Sequence, residues 1–99
     1  MRSTQEKLEP AVILDWLMLK FSEWLEVEPS ELDPRKPVTI YGLDSISAVT
    51  LSVDLEDALG IELQTALLWD HPTLEGLANY LSEELSRQGV ASLPTLQHA

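Results

Sequence analysis

Ser45-Ile46-Ser47-Ala48-Val49-Thr50-Leu51-Ser52-Val53-Asp54-Leu55-Glu56-Asp57-Ala58-Leu59-Gly60 is the stretch that decides the fold class. Ala48, Leu51, Leu55 and Ala58/Leu59 recur at three- and four-residue spacing, the pattern of a helix with one buried face. Gly60 stands where such a helix closes in left-handed backbone. The spacing therefore predicts a helix over 45–59. Ile46, Val49 and Val53, with Thr50 beside them, form a second stripe on the same helix. A surface helix needs one buried stripe, so the second either widens the core contact or meets something outside the chain.

Before this helix, Pro29, Pro34 and Pro37 prevent continuous helix and Gly42 supplies a turn, so residues 29–43 read as a long connection. Its scattered apolar residues (Leu32, Val38, Ile40, Tyr41, Leu43) predict that it packs over the bundle. Further upstream, Pro10 suits the first position of a helix, where its missing N–H costs nothing. Ile13, Leu14, Leu17, Phe21, Trp24 and Leu25 then mark one apolar face, with Glu28-Pro29-Ser30 as the expected stop. After Gly60, Gln64 to Trp69 reads as one or two helical turns broken by Asp70-His71-Pro72. Thr73 is an N-cap candidate for a last helix carrying Leu74, Leu77, Ala78, Leu81 and Leu85. No segment alternates like a strand. The expected fold is all-α, a small four-helix bundle of three main helices and one short third helix. Residues 1–9 read as a polar N-terminal extension, 10–87 as the domain, and 88–99 as a flexible C-terminal tail.

Ninety-nine residues suit a single domain, which at this size buries roughly 60% of the surface exposed by the unfolded chain. That favours a carrier, adapter or binding module over an enzyme. With no cysteine there is neither disulfide nor thiolate metal site. The polar N-terminus lacks a signal-peptide core, and no apolar run approaches the roughly 18 residues of a membrane span, so the expected location is cytoplasmic. The net charge of -11 is uneven: Lys and Arg are absent from Pro37 to Ser86, where Asp44, Asp54, Glu56, Asp57, Glu62, Asp70, Glu75, Glu83 and Glu84 lie. Such a field repels nucleic acid and anionic membrane and steers basic protein surfaces toward the chain.

Ser45 falls where loop meets helix, so its hydroxyl can project beside N–H groups without intrahelical partners. A phosphate ester there would gain from the helix dipole in otherwise acidic surroundings. The plainer reading, that Asp44 or Ser45 merely caps the helix, stays open on the residues alone. A nucleophilic serine is poorly supported, because the Gly-x-Ser-x-Gly elbow is missing and His71, beside Pro72 at a helix junction, reads as structural. No metal-loop or paired-histidine spacing occurs, and the crowded Asp54, Glu56 and Asp57 read as a solvated, partner-facing patch. Trp16, Trp24 and Trp69 read as core or half-buried anchors.

Three segments together carry a resemblance. Tyr41-Gly42-Leu43-Asp44-Ser45-Ile46 resembles the phosphopantetheine attachment motif of acyl carrier proteins. Leu25-Glu26-Val27-Glu28-Pro29-Ser30-Glu31-Leu32-Asp33 resembles the end of their first helix and the following loop. Leu67-Leu68-Trp69-Asp70-His71-Pro72-Thr73-Leu74 resembles the polyketide-synthase form of the segment between the third and fourth helices. The likeness covers about residues 10–86. It implies that Ser45 receives 4′-phosphopantetheine from coenzyme A through a separate, Mg²⁺-dependent phosphopantetheinyl transferase, with Asp44 helping to position it. Acyl groups would then ride as thioesters on the arm, with no catalytic residue and no metal ligand in the chain itself. It also implies that the second helix is the recognition helix, with Ile46, Val49 and Val53 making apolar contacts or lining the acyl path. Glu56 and Asp57 would pair with basic patches on an acyl-loading ligase or acyltransferase, a ketosynthase and other synthase enzymes. Such rim charges set on-rate and salt dependence more than stability.

Tyr41-Gly42-Leu43 departs from the Gly-Gly that usually precedes the serine motif of peptidyl carriers, and Asp-Ser-Ile departs from the Asp-Ser-Leu of fatty-acid-synthase carriers. Both departures favour a polyketide pathway. Leu51 stands where β-branching polyketide carriers have a Trp, which counts against that role. The opening Met1 and short tail are those expected of a free-standing carrier, whose expected task is then to receive a starter acyl chain; monomer is the default state. The runners-up are a peptidyl or aminoacyl carrier of a hybrid pathway, and an acidic helical adapter without a prosthetic group.

Overall fold

The computed structural model describes residues 8–90 and Leu93. Pro10 opens helix α1 (Pro10–Leu25) at its first position, and Ile13, Trp16, Leu17 and Phe21 form its buried face. The helix stops earlier than the expected Glu28–Ser30. Pro29 offers no N–H, and the residue before a proline disfavours helical backbone; Glu28 is accordingly extended (φ −72°, ψ 144°). The helix closes three residues sooner, with Glu26 in left-handed backbone at φ 57°. The Glu26 and Val27 N–H groups donate to Glu23 O and Ser22 O at 3.3 and 3.1 Å.

The connection from Glu26 to Asp44 contains two single 3₁₀ turns, Pro29–Glu31 and Val38–Tyr41. It lies over the bundle as its apolar residues predict. Leu32, Val38 and Leu43 are buried, whereas Ile40 faces solvent. Backbone bonds fasten it to the far corner of the molecule: Val38 N–H to Pro72 O at 2.8 Å and Glu75 N–H to Pro34 O at 2.9 Å. An isolated antiparallel bridge joins Pro37 to Thr73, and no strand forms among the described residues.

Helix α2 (Ser45–Leu59) follows, capped by Asp44 and closed by Gly60 at φ 69°. Its bounds match those read from the sequence. Helix α3 (Leu67–Asp70) is shorter than expected, beginning at Leu67 rather than Gln64. Gln64 serves instead as a turn, its carbonyl accepting the Leu67 N–H at 3.1 Å. Helix α4 (Leu74–Arg87) starts at Thr73, whose side chain accepts the Gly76 N–H at 3.0 Å. This N-cap is worth about 1 kcal/mol.

Leucines from all four helices meet in one core, with Leu17, Leu55, Leu68, Leu77, Leu81 and Leu85 essentially inaccessible. Each contributes about 1.5–3 kcal/mol by leaving water. Helix α1 packs chiefly on α4, and α3 on α2. Buried polar groups are bonded rather than stranded. Ser52 Oγ donates to Ala48 O at 3.0 Å, and Ser82 Oγ to Leu8 O at 2.7 Å. Of the expected N-terminal extension, residues 1–7 lie outside the described part, while Leu8 packs against the core. Of the expected tail, Gln88–Val90 and Leu93 are described. Val90 returns its N–H to Leu85 O at 2.8 Å, and Val90 and Leu93 pack against the core.

Candidate functional site

Asp44 and Ser45 sit where the long connection enters α2. Asp44 Oδ1 accepts the Ser47 N–H at 2.8 Å, and Asp44 O accepts the Ala48 N–H at 2.9 Å. The Ser47 N–H and hydroxyl, followed by weaker donors at its own and the Ile46 N–H, hold the Asp44 carboxyl below its ordinary value. Asp44 therefore stays ionised and points into the helix end. Ser45 is the first residue of α2 and is exposed. Its N–H and that of Ile46 lie in the first turn, where no carbonyl of the helix can reach them.

The approach to Ser45 is held by Tyr41. Its hydroxyl accepts the Asp33 N–H at 2.8 Å and donates to Glu31 O at 3.2 Å. Gly42 then takes φ 89°, backbone that a side chain disfavours, and Leu43 drops into the core. The sequence placed Tyr41 in the motif but gave no sign of its work as a pin, because both of its partners are backbone groups eight and ten residues away.

The second stripe of α2 faces outward. Ile46 is 77% exposed, Val49 40% and Val53 42%, while Ala48, Leu51, Leu55 and Leu59 are buried. The core thus takes one stripe and leaves the other to solvent. Asp57 is exposed beside it. Glu56 is only partly so, and its Oε2 accepts the Leu63 N–H at 3.0 Å. One of its oxygens is therefore engaged in holding the α2–α3 connection. Of the tryptophans, Trp16 is buried, Trp24 half-buried, and Trp69 is 48% exposed on α3. His71 stacks on Tyr80 with ring centroids 4.3 Å apart, in keeping with a structural part. Among the described residues no group of three or more His, Asp or Glu is placed to hold a metal ion. None of the described helices is long and apolar enough to cross a membrane.

An open groove of about 440 Å³ runs beside the site, between the end of α1, the connection and α2. Trp24, Tyr41, Leu43, Thr50, Leu51 and Asp54 are among its walls.

Residues 15–81 match the model of the phosphopantetheine attachment site family, which spans both the serine junction and the bundle around it. The chain belongs to the phosphopantetheine-binding carrier family. In that family 4′-phosphopantetheine is attached covalently, and carrier domains work with the enzymes of their synthases. Polyketide synthases contain related segments. A highly reducing polyketide synthase of Pyricularia oryzae is 44% identical over 68 residues, covering 69% of this chain and 2% of the synthase. This carrier thus spans only a few per cent of the length of the curated relatives it matches.

Solved carriers share the fold. A free-standing peptidyl carrier protein of an Acinetobacter baumannii secondary metabolic pathway is 43% identical, with a TM-score of 0.70 over 78% of this chain and 96% of that one. The HMG-ACPI domain from the CurA module of Lyngbya majuscula is 29% identical, with a TM-score of 0.77 over 91% of each chain. The all-α carrier bundle is therefore the fold, and acyl carriage on phosphopantetheine is the class of function.

Proposed function

We propose that Ser45 carries the 4′-phosphopantetheine arm, and that residues 10–87 form an acyl carrier domain serving a polyketide-type pathway. The observation that carries the assignment is the placement of Ser45: an exposed hydroxyl on the first residue of a 15-residue helix, next to a cap held by Asp44. The fit to a phosphate ester is physical. Ser45 stands in the first turn of α2, at the positive end of the helix dipole, where a phosphate ester is favoured. Between Pro37 and Ser86 the chain has no Lys or Arg, so within that stretch the helix dipole is what favours a phosphate at Ser45. When bound, the arm supplies a terminal thiol on which acyl groups are held as thioesters. The chain's own residues present and orient that arm, and the chemistry belongs to partner enzymes.

Ile46, Val49 and Val53 form the apolar centre of the partner surface in this reading. Asp57 and the free oxygen of Glu56 meet basic patches on a phosphopantetheinyl transferase, an acyl-loading ligase or acyltransferase, and a ketosynthase. The apolar residues supply contact area and the charges guide the encounter.

A second reading, a peptidyl or aminoacyl carrier, is favoured by one observation, the 43% identity to a free-standing peptidyl carrier. The holo protein, offered separately to acyl-loading and aminoacyl-loading enzymes, separates the two by mass. An acyl thioester on the original chain, absent from Ser45→Ala, is the expected result. Aminoacyl loading alone would replace the first reading with the second, and loading of Ser45→Ala would overturn both.

A further inference from the structure

The turn Asp33-Pro34-Arg35-Lys36 in the connection carries two adjacent, exposed cations on a chain of net charge -11. Asp33 builds the turn. Its carbonyl accepts the Lys36 N–H at 3.1 Å and its Oδ1 accepts the Arg35 N–H at 3.0 Å, while its own N–H goes to the Tyr41 hydroxyl at 2.8 Å. Asp and Pro are the residues such a turn favours at its first two positions. Both ends are then fastened to the start of α4. Pro34 O accepts the Glu75 N–H, the Val38 N–H donates to Pro72 O, and Pro37 bridges Thr73. The backbone that presents Arg35 and Lys36 is thus held on both sides of the pair, whereas their side chains are left unpaired. Of the other described cations, Arg87 is paired with Glu84, and Lys20 lies over the Trp16 and Trp24 rings. Arg35 and Lys36 have no carboxylate within ion-pair distance among the described residues, although the chain holds 17 Asp and Glu against 6 Lys and Arg. Asp33, the nearest in sequence, gives its Oδ1 to backbone instead.

We infer that this turn is a second docking point, opposite in charge to α2, which takes an acidic patch on a partner protein. It goes beyond the α2 surface of the proposed function and does not depend on Ser45. Charge selects the occupant. An extended polyanion, such as nucleic acid or an anionic membrane, meets the field of the whole chain and is repelled. A compact acidic patch engages the pair locally. Because the backbone of the turn is already held, docking has only side chains to order. Ile40, 57% exposed and four residues after Lys36, adds apolar area on the same connection. A partner offering basic groups to α2 and acidic groups to this turn docks in one orientation, since the reversed pose sets like charges together.

The test follows the backbone amides of isotope-labelled, full-length protein by NMR at low ionic strength, during titration with an octaglutamate peptide. Expected are shifts confined to residues 33–40 that fade as salt is added. The double variant Arg35→Gln, Lys36→Gln, at exposed positions, should weaken peptide binding several-fold and leave the rest of the spectrum unchanged. Shifts that are absent, that lie only outside residues 33–40, or that persist undiminished in the double variant would overturn the docking point. Tighter binding of phosphatidylglycerol vesicles or of an RNA oligonucleotide at the same amides would overturn the choice of a protein partner.

Discussion

Glu56 Oε2 accepts the Leu63 backbone N–H at 3.0 Å, so a residue on the outward side of α2 also fastens the turn that follows the helix. Gly60, in left-handed backbone, bends the chain back so that this bond can form. The same carboxylate thus has a structural duty and, in the proposed function, a second one on the partner surface through its other oxygen. The two duties separate by substitution. Glu56→Gln keeps an acceptor and should hold stability near that of the original. Glu56→Ala should lose about 1 kcal/mol. Urea midpoints measure the stability difference, and salt dependence of partner transfer measures the lost charge in both variants.

Acid stability should reflect Asp44. Hydrogen bonds to Ser47 lower its folded pKa below the ordinary value of 3.8. A lowered folded value means that the stabilisation is fully present above the unfolded value and fades as pH falls through the folded one. Asp44→Asn retains an N-cap acceptor but loses this titration. Its melting temperature should therefore lie below the original near pH 7, fall less steeply below pH about 4, and converge on the original in strong acid. Parallel melting curves from neutral to strongly acidic pH check this, and identical acid slopes would contradict it.

Tyr41→Phe removes the acceptor for Asp33 N–H and the donor to Glu31 O while keeping the ring. Because the site is only partly buried, a loss of about 1 kcal/mol is expected. The connection into Ser45 loosens with it, so modification by the transferase should slow several-fold. Equilibrium unfolding and initial modification rates, measured on the same preparation, distinguish this from a loss confined to the fold.

Ile46→Asp tests the outward stripe. At 77% exposure the side chain makes little of the core, so stability should change by no more than about 0.5 kcal/mol. Transfer to and from partner enzymes should fall sharply, because an apolar contact is replaced by a charge that must be desolvated. Unchanged transfer kinetics would remove Ile46 from the partner surface.

Much of this architecture was legible in local pattern. The bounds of α2, the Pro10 start of α1 and the Thr73 cap each depend on residues within a turn of one another, and all appear as read. The second stripe of α2 was visible but undecided, since periodicity shows that a face is apolar and not what covers it; the packing of Leu51 and Leu55 inward settles it. The early stop at Glu26 and the late start of α3 were missed because the chain trades helical bonds for turns under the pull of Pro29 and the core. Tyr41 and Glu56 were missed in their anchoring roles for a different reason. Their partners are backbone groups, which carry no residue identity and leave no mark on sequence pattern.

The most direct test of the central claim is the intact mass of the protein before and after incubation with coenzyme A, Mg²⁺ and a broad-specificity phosphopantetheinyl transferase, with Ser45→Ala alongside. The account predicts a gain of one phosphopantetheine in the original chain and none in Ser45→Ala. No gain in folded, initially unmodified protein, or an equal gain in Ser45→Ala, would contradict it.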